Sequence, residues 1–268
     1  MISLRRVGAV VLRQYYLTRW SFSRILSLFS WIVIDMVLWG FITKYLNRVA
    51  NSGFDFVPLF LGAIFFWDFF GRVMHGLAMA FLEDVWARNF FNFFTTPLTI
   101  LEYLVGLVVS SILTSLLGLM AMLVLVTLFF GLSFFSFGIW LFPYLLILFL
   151  FGIALGVCAS AVVLRFGPSA EWMVWPVPSL LSPLAGVFYP LANLPWGLRV
   201  FSYGLPPSYV FESMRALLAG ESADVFQLMI GVILAVGYVV LAIGFYTRTY
   251  RQALETGLIA RYSAESVQ

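Results

Sequence analysis

Long apolar stretches recur along this chain, and they constrain its fold more than any other feature. A bilayer core about 30 Å thick takes roughly 20 residues of helix per crossing. Six runs of that order can be drawn, at 25–45, 56–82, 98–130, 139–164, 172–191 and 225–246. None shows the apolar/polar alternation of barrel strands, and only helices or closed barrels satisfy the backbone in hydrocarbon. The sequence therefore predicts an all-α polytopic membrane protein with six transmembrane helices. Composition agrees: 63% hydrophobic residues, 10% charged and a mean hydropathy of +1.02 lie far from the balance of a soluble domain.

Basic residues orient the spans. With a cytoplasmic N-terminus, Arg5, Arg6, Arg13, Arg19, Arg24, Arg88, Arg165, Arg248, Arg251 and Arg261 fall inside, against Lys44, Arg48, Arg199 and Arg215 outside. The positive-inside rule then places both termini in the cytoplasm. The net charge of +3 reflects that topology, and no surface for nucleic acid is visible. Residues 1–24 precede the first span and carry no cleavage pattern, so they are expected to stay on the protein. At helical spacing Leu4, Val7, Val11 and Tyr15 share a face opposite Arg6 and Arg13. This suits a helix lying in the interface, and equally two positive-inside anchors. A short polar tail, 247–268, follows the six-span core at 25–246, and the whole reads as one membrane domain.

Two segments stand out between the spans. The loop Glu83-Asp-Val-Trp-Ala-Arg-Asn-Phe-Phe-Asn-Phe-Phe-Thr-Thr-Pro97 carries charges at its front and four phenylalanines in its middle. Either an amphipathic helix against the membrane or a partner's groove, or the plain end of the second span, fits that pattern. The second segment, 168–207, holds Pro168, Pro176, Pro178, Pro183, Pro190, Pro195, Pro206 and Pro207 out of eleven prolines. Proline inside a helix removes a donor and clashes with the preceding turn, so the fifth span is expected to be bent or broken. The apolar, Pro/Gly-punctuated stretch after it fits re-entrant helices dipping from the outer face. Ser208 is placed to cap one of these and Gly220 to stop it.

Ionisable residues inside spans are costly and should face a partner or a wet cavity. Asp68, Arg72 and His75 form one stripe on the second span, and Asp35 lies in the middle of the first. They either line a translocation path or neutralise one another. His75 lacks partners at metal-ligand spacing, and no catalytic constellation is recognisable. Cys158, the single cysteine, reads as a packing residue. Small residues repeat every fourth position at Gly106, Ser110, Thr114 and Gly118, and again at Gly152, Gly156 and Ser160, which lets helices approach closely. The chain's single lysine, Lys44, stands far from any glycine-rich loop. A P-loop is thus absent, and energy from ATP has to enter through another polypeptide.

Asn92-Phe-Phe-Thr-Thr-Pro-Leu-Thr-Ile-Leu-Glu102, Leu181-Ser-Pro-Leu-Ala-Gly-Val-Phe-Tyr-Pro-Leu-Ala-Asn-Leu-Pro195 and Leu205-Pro-Pro-Ser-Tyr-Val-Phe-Glu-Ser-Met-Arg-Ala-Leu217, with six spans, resemble the transmembrane subunits of bacterial ABC transporters of the ABC-2 class. The resemblance implies a permease half, not itself an enzyme, in the bacterial cytoplasmic (inner) membrane, transporting outward. It implies pairing with a second permease copy as a homodimer, or with a similar subunit, together with surrounding lipid and two cytoplasmic ATPase subunits that bind ATP and Mg. It also implies that the aromatic loop holds a coupling helix, with Arg88, Asn89, Phe90, Phe91 and Phe94 as contacts, supported by the N-terminal interfacial helix. Arg215 matches the family's arginine after the Pro-containing turn. Pro183, Pro190, Pro206, Pro207 and Arg215 are the candidates for an outer gate, and Asp35, Asp68, Arg72 and His75 for the path. The competing expectation is an ion-coupled transporter or channel that uses those four ionisable residues as a relay.

Overall fold

In the computed structural model, residues 3–50, 56–87, 89, 92–93, 96–131 and 134–256 are described, and all regular structure among them is helical. The central layer is a pair of long helices, α3 (Phe56–Trp86) and α5 (Leu141–Phe166), which make each other's core. Glycine brings them together: a Cβ at Gly152 would lie 2.9 Å from Val73 Cβ, and one at Gly156 would lie 3.0 Å from both Leu77 Cβ and the Met74 carbonyl oxygen. The close approach lets aromatic rings interlock, with Phe70 stacked on Phe151 at 5.5 Å and Phe66 edge-on to Tyr144 at 5.7 Å. All four rings are buried.

The helix α4 (Ile100–Phe130) and the helix α2 (Phe22–Ala50) pack on α3, while α10 (Val225–Glu255) packs on α5. The α2–α4 contact is made by Gly40, whose missing side chain leaves room for the Phe130 ring. The first helix, α1 (Leu4–Arg19), crosses α4 at Gly106, where a Cβ would stand 2.6 Å from Val10 Cβ. The four-residue spacing of small side chains thus serves contacts within the chain. Its α1-facing side corrects the expectation for that helix. Val7, Val10 and Gln14 are buried, whereas Leu4 and Tyr15 are exposed, because Arg6 and Arg13 turn inward to partners described below.

Among the described residues, four helical stretches are long and apolar enough to cross a membrane: Val57–Trp86, Ile100–Phe130, Phe137–Phe166 and Val225–Glu255. α4 and α10 carry exposed faces of Leu117, Met120, Leu128, Val240 and Leu241, the surface that lipid chains cover. The chain is therefore a multi-pass membrane protein. α2 spans 29 residues but carries Arg24, Asp35, Lys44 and Arg48. The last helix runs beyond 246 to Glu255, burying Thr249 and Ala253.

The proline-rich fifth segment is broken. It forms the one-turn α6 (Glu171–Val174), then α7 (Val177–Leu184), and leaves through a left-handed Gly186 at φ +62°. Two short helices follow, α8 (Trp196–Tyr203) and α9 (Pro206–Leu218). Pro206 and Pro207 occupy the first turn of α9, where a missing N–H costs nothing. Ser208 is already inside that helix, with Leu205 before it as N-cap, which corrects the capping role expected of Ser208. Gly220 does stop the helix: at φ +84° its N–H reaches Leu217 O, and the Glu221 N–H reaches Ala216 O.

Candidate functional site

Two carboxylates mark the end of the bundle where α3 hands over to α4. Asp84, in the last turns of α3, has a side chain wholly removed from solvent. It accepts both arms of the Arg13 guanidinium from α1, one at 3.0 Å, and the Tyr103 hydroxyl from α4 at 2.7 Å. Burial of Arg13 opposes its charge, but the hydrogen bonds and field of Asp84 outweigh this and hold its pKa above the ordinary arginine value. A buried carboxylate is tolerable only with such partners. The same guanidinium lies over the Phe93 ring, 5.1 Å from its centroid, and Phe93 packs on Tyr103 at 5.2 Å. The start of the α3–α4 connection is fixed by main-chain bonds, from Asn89 N–H to Asp84 O at 3.0 Å and from Phe93 N–H to Asn89 O at 3.1 Å.

The other carboxylate, Glu102, is equally enclosed and does three jobs. It closes a capping box with Thr99 at the start of α4, accepting the Thr99 N–H at 2.9 Å. It accepts the Ser3 N–H at 2.8 Å, and Arg6 pairs with it at 3.2 Å. Arg6 also donates to the carbonyl of Pro97, at the end of the connection. Of the expected coupling residues, Asn89 belongs to this region, while Arg88, Phe90, Phe91 and Phe94 lie outside the described residues.

Within the bundle, the structure brings together three of the four ionisable residues on the expected path. Asp68 and Arg72 form an ion pair at 3.3 Å one turn apart, and Asp35 on α2 lies within electrostatic range of both. Arg72 runs along α4 at Gly118, where a Cβ would sit 3.2 Å from its Cδ. His75 turns elsewhere: its imidazole packs on the Trp175 indole, centroids 4.7 Å apart, beside the break in the fifth segment. Among the described residues no cluster of His, Cys, Asp or Glu is built to hold a metal.

At the opposite end, the proline-rich stretch is stapled by arginines to main-chain carbonyls. Arg215 on α9 donates to Gly186 O at 2.7 Å and to Glu212 at 3.0 Å, and Glu212 accepts the Leu191 N–H at 2.7 Å. Arg199 donates to the carbonyls of Leu191, Ala192 and Leu194. Pro183 O accepts the Tyr189 hydroxyl, and Pro190 leads into the one-turn helix Leu191–Asn193. Of the expected gate residues, Pro183 in α7, Pro190 in the loop after it and Arg215 on α9 are thus tied into one folded region, and Pro206 and Pro207 are buried at the start of α9. Tyr144 of α5 fastens α9 to the core through Ser213 at 2.9 Å.

Sequence assigns no role to Asp84, Glu102, Tyr103 and Glu212, and it assigns Arg6, Arg13 and Arg199 only a side of the membrane or of a helix. A signal existed for one of them, Thr99-x-x-Glu102, the pattern of a capping box. The long-range partners of Arg6 and Arg13 had none.

A family model described as "ABC-2 type transporter" matches residues 9–219, from the middle of α1 to the end of α9. No curated protein matches the chain.

Proposed function

Since the chain belongs to the ABC-2 type transporter family, a membrane component that partners with ABC ATPase subunits, we propose that it is the permease subunit of an ATP-driven exporter. Two copies would form the translocation path in a bacterial inner membrane with both termini cytoplasmic, and two separate ATPase subunits would bind the ATP and Mg. In this reading α2 and the broken fifth segment complete six crossings, and α8 and α9 are re-entrant from the outer face. Nucleotide-driven closure of the ATPases moves the α3–α4 connection through Arg88, Asn89, Phe90, Phe91 and Phe94. Asp35, Asp68, Arg72 and His75 border the path, and Pro183, Pro190, Pro206, Pro207 and Arg215 form the outer gate. The Asp68–Arg72 pair supports a neutralised wall over an ion relay, since each charge already has its counterion.

The observation that carries the proposal is the α3–α4 connection. It is short, aromatic, and fastened to α1 next to buried carboxylates at both ends. A surface loop with no task has no need of such anchoring. Purification of the tagged chain from its native host in mild detergent tests it, with mass spectrometry and an ATPase assay on the product. A co-purifying P-loop protein with vanadate-sensitive hydrolysis is the expected result, whereas a homo-oligomer without one, transporting on an ion gradient alone, would transfer the function to the ion-coupled class. Replacing Phe90, Phe91 and Phe94 by glutamate should release the ATPase while the permease stays inserted. Retention of the ATPase by that variant would remove the coupling role from these residues.

A further inference from the structure

Asp84 and Glu102 stand on different helices, yet both turn to the same third one. Asp84 precedes the α3–α4 connection and Glu102 follows it, and α1 supplies the arginine for each. Arg6 and Arg13 are seven residues apart, two helical turns, so they project from one side of α1 about 10 Å from each other along its axis. Neither arginine stops at its carboxylate. Arg6 also donates to Pro97 O, and Arg13 also covers the Phe93 ring, so both touch the connection itself.

We infer that α1 is a two-point clasp that sets the position of the α3–α4 connection, with Arg13 holding its first half through Asp84 and Phe93 and Arg6 holding its end through Pro97 and Glu102. The inference rests on the coupling reading above and assigns Arg6 and Arg13 as positioning residues. Attachment of α1 as such does not require them, because Val10 is already seated in the notch at Gly106 and Val7 is buried beside it. What the arginines add is direction. A guanidinium gripping both oxygens of Asp84 fixes an angle as well as a distance, which an ammonium at the same place does not. A displacement of the connection is then passed to α1 and to the start of α4 together, instead of being absorbed by a loose loop.

The test uses the full chain, purified with whatever ATPase accompanies it, as wild type, Arg6→Gln, Arg13→Lys, and the exchange Arg13→Asp with Asp84→Arg. Three readouts are taken: hydrogen exchange of residues 87–99, hydrogen exchange of α3 and α5, and ATPase retained per permease. Arg6→Gln and Arg13→Lys should speed exchange in 87–99 and weaken ATPase retention by about tenfold, the equivalent of about 1.4 kcal/mol. Exchange in α3 and α5 should stay as in wild type, and the charge exchange should recover part of the retention. Unchanged exchange in 87–99 overturns the clasp, as does loosening of α3 and α5 in step with the connection, which would make the arginines simple bundle staples. If the wild type carries no ATPase, the coupling reading fails, and the exchange of 87–99 still decides the clasp.

Discussion

At the end of the bundle where α1 lies, arginines reach enclosed carboxylates 71 and 96 residues away in sequence; at the end where α8 and α9 lie, they reach main-chain carbonyls no more than 29 residues away and, from Arg215, the partly exposed Glu212 one turn away. The first arrangement joins α1 to both ends of the α3–α4 connection. The second shapes a single loop, which meets the core through the Tyr144–Ser213 contact, the packing of α9 on α10 and α5, and Phe188, stacked on Trp39 of α2 and Phe60 of α3. Their energetics differ as well. A charge–charge contact with an enclosed carboxylate is costly to break, because one ion is left in a dry site. A guanidinium released at the other end leaves neutral carbonyls and the Glu212 carboxylate, which is a third exposed and keeps access to water. Stiffness therefore belongs at the α1 end, and a loop that can be remade belongs at the other, as an element that takes up force and one that opens would require.

The largest expected effect is at Asp84. Replacing Arg13 with methionine keeps most of the packing volume and strands a carboxylate that has no exposure of its own, at a cost of about 3 kcal/mol, the lower end for buried pairs because Arg13 is itself partly exposed. Unfolding of the purified permease in detergent, compared with the double variant that also carries Asp84→Leu, measures it. The double variant should recover much of the loss, since an apolar pair often replaces a buried ion pair at little cost. A double variant no better than the single one would mean that the ion pair has a use beyond neutralising Asp84, and the contrast between the two ends would narrow.

A smaller loss is expected at the opposite end. Arg215→Met removes the bonds to Gly186 O and Glu212, worth about 1.5 to 3 kcal/mol for bonds to a charged group, and the loop can refold around neutral carbonyls. Its effect should therefore appear in local proteolysis of 186–200 before it appears in the unfolding of the bundle. Global destabilisation matching that of Arg13→Met would break the comparison and make the proline-rich loop as integral as the contacts of α1.

How much of this was legible in the sequence depends on the range of the interaction involved. The apolar runs at 56–82, 98–130, 139–164 and 225–246 are set by bilayer thickness, a local length requirement, and each appears as a long helix. The break in the fifth segment falls at Pro176 and Pro178, between α6 and α7, whereas Pro183 is accommodated inside α7. The last helix outruns its apolar stretch at 225–246 because Arg248 and Arg251 end the apolar run without ending the backbone ladder. The face of α1 was misjudged for a related reason: hydropathy assigns arginine outward, and only tertiary contact with Asp84 and Glu102 turns it inward. Likewise the stripe of Asp68, Arg72 and His75 is real as a helical spacing, but Trp175 takes the histidine away from it. The resemblance carried Arg215, and no local pattern pointed to Glu212 or Arg199 beside it.

The smallest expected effect concerns two hydroxyls, one at each end. Tyr246, fully buried against Phe81 near the Asp84 brace, and Ser208, buried at the first turn of α9, have no hydrogen-bond partner among the described residues. Removing an unsatisfied buried hydroxyl relieves its desolvation, so Tyr246→Phe and Ser208→Ala should each leave stability unchanged or raise it by about 1 kcal/mol. Unfolding of the isolated permease, then of the purified complex, reads both. A neutral Tyr246→Phe in the two preparations keeps the α1 end complete as described. A Ser208→Ala variant that is neutral alone but destabilising in the complex would assign that hydroxyl an acceptor on another chain, and the proline-rich loop would then owe part of its order to assembly while the α1 end owes none.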